Sequence, residues 1–152
     1  MAIIKLTPSC KDYLWGGTRL KTEFGKQSTL DRVAESWELS CHPDGPCTIA
    51  NGSAAGQTLA AYLAQTGNAA VGTHGARFDR FPVLIKLIDA KQNLSVQVHP
   101  DNDYAMRVEG EPGKTEMWYI VDCDPGAQLI YGFEHEISKD EFARRKIGRA
   151  HV

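Results

Sequence analysis

The sequence has 152 residues, 42% of them hydrophobic and 24% charged, enough for one globular domain with a core but leaving little room for a second. The net charge of −2, with Lys and Arg scattered, argues against the basic footprint of a nucleic-acid-binding protein. The best apolar run, residues 82–88, is interrupted by Lys86 and falls far short of a membrane span.

The opening residues, MAIIKLTPS, lack the apolar stretch of a secretory signal and no cleavage pattern follows, so the cytoplasm is the expected compartment. In that compartment Cys10, Cys41, Cys47 and Cys123 are read as reduced thiols. Cys41 and Cys47 bracket His42 at a spacing foreign to standard zinc modules, which favours small, partly buried thiols in a turn. Residues 41–56, rich in Gly, Pro, Asp and Asn, predict turns around a short strand at 47–50. A short helix follows, capped by Thr58, with Leu59, Tyr62 and Leu63 on one face and Gly67 at its end.

Four apolar runs come next, at 81–88, 94–98, 117–121 and 128–131. Their lengths and their Val, Ile and aromatic content suit strands. Residues 101–108 predict a short helix opened by Asp101 or Asn102, and Ser138 with Glu141 forms a capping box before Phe142. Several strands with few helices imply a mainly β fold, a sandwich or small barrel with short peripheral helices.

The chemistry concentrates in LSVQVHPD at 94–101. Strand side chains alternate, so Leu94, Val96 and Val98 face one way and Ser95, Gln97 and His99 the other. The polar row spans about 13 Å at 3.3 Å per residue. Inside a barrel such a row must be paired or must hold something; on a surface strand it is simply a wet face. Lys114 and Glu116 open the strand KTEMWYIV. A histidine nitrogen, a carboxylate oxygen and the amide oxygen of Gln97 make a workable set for a divalent metal. Lys86 sits where apolar residues fill both strand faces. It is an anion clamp, a lysine of altered basicity, or a side chain that snorkels to solvent.

These residues resemble a known family, the type I mannose-6-phosphate isomerases, particularly the short bacterial form. The resemblance runs over residues 6–146. It rests on WGG at 15–17, AESWE at 34–38 followed by HPDG at 42–45, LIKLID at 84–89, LSVQVHPD at 94–101 and GKTEMWY at 113–119. One such motif is a weak signal; five in this order are specific. The resemblance implies a cupin-type jelly-roll barrel, incomplete here, with zinc inside. It assigns Gln97, His99 and Glu116 to the metal, with Gln97 either ligating it or lying beside it, and leaves a further His ligand and an Arg downstream. It implies interconversion of mannose 6-phosphate and fructose 6-phosphate through an enediol. Lys114 matches an acid/base lysine. Ser95, Lys86 and Glu35 match pocket residues, the first two toward the phosphate. Trp15 and Trp37 are pocket walls or packing, and His42 is a pocket residue or a structural histidine of its turn. The implied partner is a small sugar phosphate, with no nucleic acid and no membrane; oligomeric state is not implied.

The alternatives are a metal-holding cupin that binds or regulates without catalysis, and a purely structural role with the polar row facing solvent. The domain expectation is residues 1–146 as the N-terminal part of the catalytic domain and 147–152, IGRAHV, as a non-native tail. One reverse translation of that tail, ATC GGA AGA GCA CAC GTC, resembles a sequencing-library adapter. The alternative is a natural terminus with Gly148 closing the last helix. A jelly roll cut here leaves open strand edges, so this chain by itself is expected to lack activity.

Overall fold

The computed structural model describes residues 3–147. The chain forms two compact units, one ending at Leu94 and one beginning at Ser95. Among the described residues no helix is long and apolar enough to cross a membrane.

Sheets set the architecture of the first unit. Strand β1 (Leu6–Thr7) pairs antiparallel with β4 (Thr48–Ile49). A second sheet has the order β2 (Ser9–Lys11), β3 (Glu35–Leu39), β5 (Ile85–Ile88), all antiparallel. Its register sets Lys11 opposite Glu35 and Ser9 opposite Trp37 on one side of β3; on the other, Glu35 faces Ile88 and Trp37 faces Lys86. A bulge between Trp37 and Leu39 shifts the ladder. Neither sheet closes on itself, and the helices are short and peripheral, in keeping with the mainly β, jelly-roll class expected from the sequence.

The core of this unit gathers Leu20, Val33, Ala34, Trp37, Cys47, Ile49 and Leu59. Val33 is wholly buried, worth roughly 1.5–3 kcal/mol for such a side chain. The first glycine motif is built for close approach: a Cβ on Gly16 would lie 2.3 Å from Ala34 Cβ, and one on Gly17 would lie 2.4 Å from Asp89 Oδ2. Asp89 in turn accepts from the Arg19 N–H at 2.7 Å, opening helix α1 (Arg19–Thr22) from seventy residues away in place of a side-chain cap from Thr18. Helix α2 (Leu59–Thr66) forms as the sequence predicts. Thr58 Oγ1 accepts from the Ala61 N–H at 3.1 Å, and Gly67, at φ 68°, ends it. A 3-10 turn (Gly67–Ala70) and helix α3 (Gly72–Gly75) follow.

The expected strand at 81–88 is laddered only over β5. Pro82 has no N–H to give to a ladder, which suits the late start. In the second unit the runs at 95–98, 117–121 and 128–131 form no strand among the described residues. Their backbones find no neighbouring strand, and side chains meant for a sheet interior stay open: Met117 is 91% exposed and Tyr131 94%. The two expected helices of this unit are present. Helix α4 (Asn102–Val108) is capped by Asp101, whose side chain accepts from the Tyr104 N–H at 2.8 Å. Helix α5 (Lys139–Ile147) is capped by Ser138, which accepts from the Glu141 N–H at 3.1 Å. Of the expected tail at 147–152, residues 148–152 lie outside the described residues.

Candidate functional site

The predicted site residues fall into two groups, one in each unit. In the first unit Glu35 and Trp37 share a face of β3, two residues apart, and Lys86 lies across the ladder from Trp37. Glu35 is buried, and both of its oxygens are used. Trp37 Nε1 donates to Oε2 at 2.7 Å and Lys86 Nζ donates to Oε1 at 3.0 Å. The Lys86 side chain is 22% exposed and the Glu35 side chain 9%, so this lysine is partly buried and paired rather than snorkelling alone. Lys86 Nζ also lies 6.0 Å from the Trp37 ring centre.

The HPDG turn closes over the other side of Trp37. Gly45 N donates to His42 O at 3.1 Å, and Asp44 N donates to His42 Nδ1 at 3.2 Å. His42 is thus the hydrogen-bonded histidine of its own turn, and its ring meets Trp37 edge-on at 5.8 Å. Lys11, which the sequence did not single out, sits 4.8 Å over the Trp37 ring and donates to the Asp44 carbonyl. Only the β2–β3 register brings Lys11 here; no motif marks it. Trp15 stacks on Tyr13 at 5.5 Å rather than on the Glu35–Lys86 pair. Burial pushes the Tyr13 phenol up, and the charges of Glu35 and Asp44 push the same way.

In the second unit three predicted residues meet. His99 Nε2 lies 3.2 Å from Glu116 Oε2, and Lys114 Nζ lies 2.8 Å from Glu116 Oε1. A tight corner brings them together. Lys114 N donates to Pro100 O at 3.4 Å, and Gly113 N donates to Asn102 Oδ1 at 3.0 Å. A Cβ on Gly113 would fall 2.5 Å from the Asp101 carbonyl carbon, so only glycine lets the two segments approach. Trp118 Nε1 donates to Glu116 Oε2 at 3.4 Å. Partial burial pushes the Glu116 carboxyl up. The hydrogen bonds from Lys114 and Trp118, with the charges of Lys114 and His99, outweigh it and hold the group below the ordinary carboxylate range.

Ser95 and Gln97 do lie on one side of the chain, with Gln97 Nε2 donating to Ser95 Oγ at 3.1 Å. Both are exposed, as are Val96 and Val98 at 72% and 66%, so neither face of this run is enclosed. Among the described residues no group of three or more His, Cys, Asp and Glu gathers at one point. The His99–Glu116 pair presents one nitrogen and one oxygen donor, the donor types zinc takes in mixed sites.

The open sheets of the first unit are those of a cupin-type jelly roll, and within the second unit an imidazole, a carboxylate and a lysine come together. The family model for the catalytic domain of type I phosphomannose isomerase matches residues 3–120, and the chain belongs to that family. Mannose-6-phosphate isomerase from Streptococcus mutans is 42% identical over 138 residues, which make up 88% of this chain and 41% of that protein. The crystal structure of mannose 6-phosphate isomerase from Bacillus subtilis is 46% identical and superposes with a TM-score of 0.75 over 82% of this chain and 39% of that one. A mutant phosphomannose isomerase from Salmonella typhimurium, 25% identical, superposes with a TM-score of 0.59 over 74% of this chain and 30% of that one. The chain spans about two fifths of the length of the Bacillus subtilis and Streptococcus mutans relatives it matches.

Proposed function

We propose that this chain is the N-terminal part of an enzyme that interconverts mannose 6-phosphate and fructose 6-phosphate. The observation that carries the reading is the approach of His99 Nε2 to Glu116 Oε2, 3.2 Å apart, with Lys114 on the other carboxylate oxygen. Imidazole and carboxylate side by side suit a divalent cation, and zinc is the proposed one. His99 and Glu116 hold it, with Gln97 as ligand or neighbour. Two donors do not fill a four-coordinate site, so a further histidine is expected beyond the span matched here. When bound, the metal supplies a positive charge beside the two sugar oxygens on which negative charge develops.

The chain's own residues have further proposed roles. Lys114, beside Glu116, is the proposed group for moving the proton between C1 and C2: as the free amine it takes the proton from one carbon, leaving the enediol, and the ammonium so formed returns it to the other. By the family motifs Lys86 and Ser95 are each proposed as phosphate contacts, and Glu35 holds Lys86. Trp15 gives an apolar wall to the pocket. The substrate is a small sugar phosphate, and the cytoplasm is the proposed compartment. Residues 147–152 are proposed not to belong to the native protein; resequencing the locus decides this, and a native frame that stops after Val152 would refute it.

The experiment is a coupled assay of the uninterrupted gene product with mannose 6-phosphate, alongside its metal content. Turnover with about one zinc per chain is expected. A product that holds zinc and turns over no hexose phosphate would instead be a binding or regulatory cupin.

A further inference from the structure

The motifs at 35–38 and 42–45 converge on one side chain, the indole of Trp37. It is held from every side. A Cβ on Gly45 would come within 2.5 Å of Trp37 Cε3, so the turn packs flat on the ring. Lys11 Nζ stands 4.8 Å over the ring and is itself tied to the Asp44 carbonyl. The His42 ring meets it edge-on, and Cys47 Sγ donates to the Trp37 carbonyl at 3.0 Å. Shape alone would be met as well by another large aromatic residue. What only the indole adds is its N–H, and that N–H is spent on Glu35 Oε2 at 2.7 Å.

We propose that Trp37 is a positioning residue for Lys86: its indole N–H fixes the buried Glu35 carboxylate, and that carboxylate aims the Lys86 ammonium at an anion. Glu35 is 7% exposed and Trp37 8%, so water is a poor substitute for either partner. With one oxygen pinned by the indole, the carboxylate cannot turn without losing a charge-assisted bond. Its second oxygen therefore receives Lys86 Nζ at one fixed place, 3.0 Å away. An ammonium has three donors; one goes to Glu35, and two are left for a phosphate. The motif pair thus works as one device, in which the turn clamps the ring, the ring clamps the carboxylate and the carboxylate orients the lysine. The inference rests on the reading of Lys86 as a phosphate contact.

The test is a titration of the 152-residue chain, isotopically labelled, with inorganic phosphate, followed by NMR. The chain has three indole N–H groups, those of Trp15, Trp37 and Trp118, and the Trp15→Phe and Trp118→Phe variants identify that of Trp37 by elimination. Phosphate is expected to move the Trp37 indole and the Lys86 side chain along one saturation curve. Lys86→Met should abolish both responses, and Lys86→Arg should restore that of Trp37. Trp37→Phe should raise the phosphate dissociation constant about tenfold, as loss of one charge-assisted hydrogen bond would. If Lys86 responds while Trp37 stays still, or if Trp37→Phe binds phosphate as tightly as the parent, the positioning role is wrong and the phosphate contact stands. If Lys86 ignores phosphate, the phosphate contact is wrong and the positioning role goes with it. The two Lys86 variants keep Trp37 in place, so they decide the matter even where Trp37→Phe does not fold.

Discussion

His99 Nε2 and Glu116 Oε2 stand 3.2 Å apart although they are seventeen positions apart in the chain, with a helix between them. The closure is made by backbone, through Lys114 N to Pro100 O and the bare Cα of Gly113 against Asp101. A polar pair built this way has its donors in place before any ion arrives, which lowers the ordering cost of binding one.

Removing either donor should therefore be felt directly in metal affinity. His99→Ala and Glu116→Gln are each expected to weaken zinc binding by the 152-residue chain at least about tenfold, the smaller end of what losses around metal sites cost. His42→Ala, in a turn where the imidazole already accepts from Asp44 N, is expected to leave zinc affinity unchanged. Calorimetric titration of the three variants checks this. Equal affinity in the parent and in His99→Ala would remove the metal reading and favour a surface role for the polar row.

The metal-free chain should also show Glu116 in its pH profile. Its carboxyl is held below the ordinary range, chiefly by Lys114 against the opposing effect of burial. A carboxyl lowered in the folded state stabilises the fold above the unfolded value, near about pH 4.3, and that contribution fades as pH falls through the folded value. Glu116→Gln should thus lower stability near neutral pH, by less than about 1 kcal/mol for a partly exposed pair. The difference between parent and variant should shrink as the pH falls into the acid range. Urea unfolding at about pH 7 and about pH 3 measures both; a gap undiminished in acid would mean the carboxylate is not what stabilises.

What the sequence made legible here was local. Helix caps at Thr58, Asp101 and Ser138 were readable because a cap needs only its own next three residues. The alternation that puts Ser95 and Gln97 on one side was readable for the same reason. Ladder formation was not, because a strand exists only by virtue of a partner. Residues 117–121 have strand composition and no ladder, since nothing in those five residues says what lies beside them. Lys11 escaped notice likewise; its place over Trp37 comes from the register of β2 on β3. Lys86 was readable as a misplaced charge, but its partner lies fifty-one residues away.

That partner makes a thermodynamic prediction. Lys86→Met leaves the buried Glu35 carboxylate with the Trp37 indole alone and should cost about 1–3 kcal/mol, reduced from a fully buried pair because Lys86 is partly wet. Adding Glu35→Gln to Lys86→Met removes the stranded charge and should recover part of that loss. Urea unfolding of the two single variants and the double variant closes the cycle. Strict additivity would mean the two side chains do not interact.

The thiols should separate by reactivity. Cys123 is exposed, whereas Cys47 is wholly buried and donates to the Trp37 carbonyl. Burial pushes the Cys47 thiol up against the backbone hydrogen bonds of Ser40 and Ser9, and burial likewise raises Cys41. Iodoacetamide should label Cys123 first and Cys47 only on unfolding, read by mass spectrometry. The linkage runs opposite to that of Glu116. A thiol raised in the folded state contributes its full share below the unfolded value, about pH 8.5, and loses it as pH rises toward the folded one. Cys47→Ala should accordingly flatten part of the fall in stability on the alkaline side. Rapid alkylation of Cys47 in the native chain would contradict its place in the core.

Two glycines should fail in different ways when a methyl is added. Gly16→Ala drives a Cβ to 2.3 Å from Ala34 Cβ and 2.6 Å from its Cα, backbone that cannot step aside cheaply. Overpacking there should cost about 1–3 kcal/mol, more than the few tenths that alanine gains by restricting the unfolded chain. Gly45→Ala meets the Trp37 ring instead, at 2.5 Å from Cε3. A ring can shift where a backbone cannot, so the expected result is a displaced indole whose N–H no longer fits Glu35. Gly16→Ala should therefore lower the urea midpoint and leave the Trp37 indole resonance in place, while Gly45→Ala should move that resonance. An unmoved resonance in Gly45→Ala would show that the turn does not clamp the ring, since the added carbon has nowhere else to go.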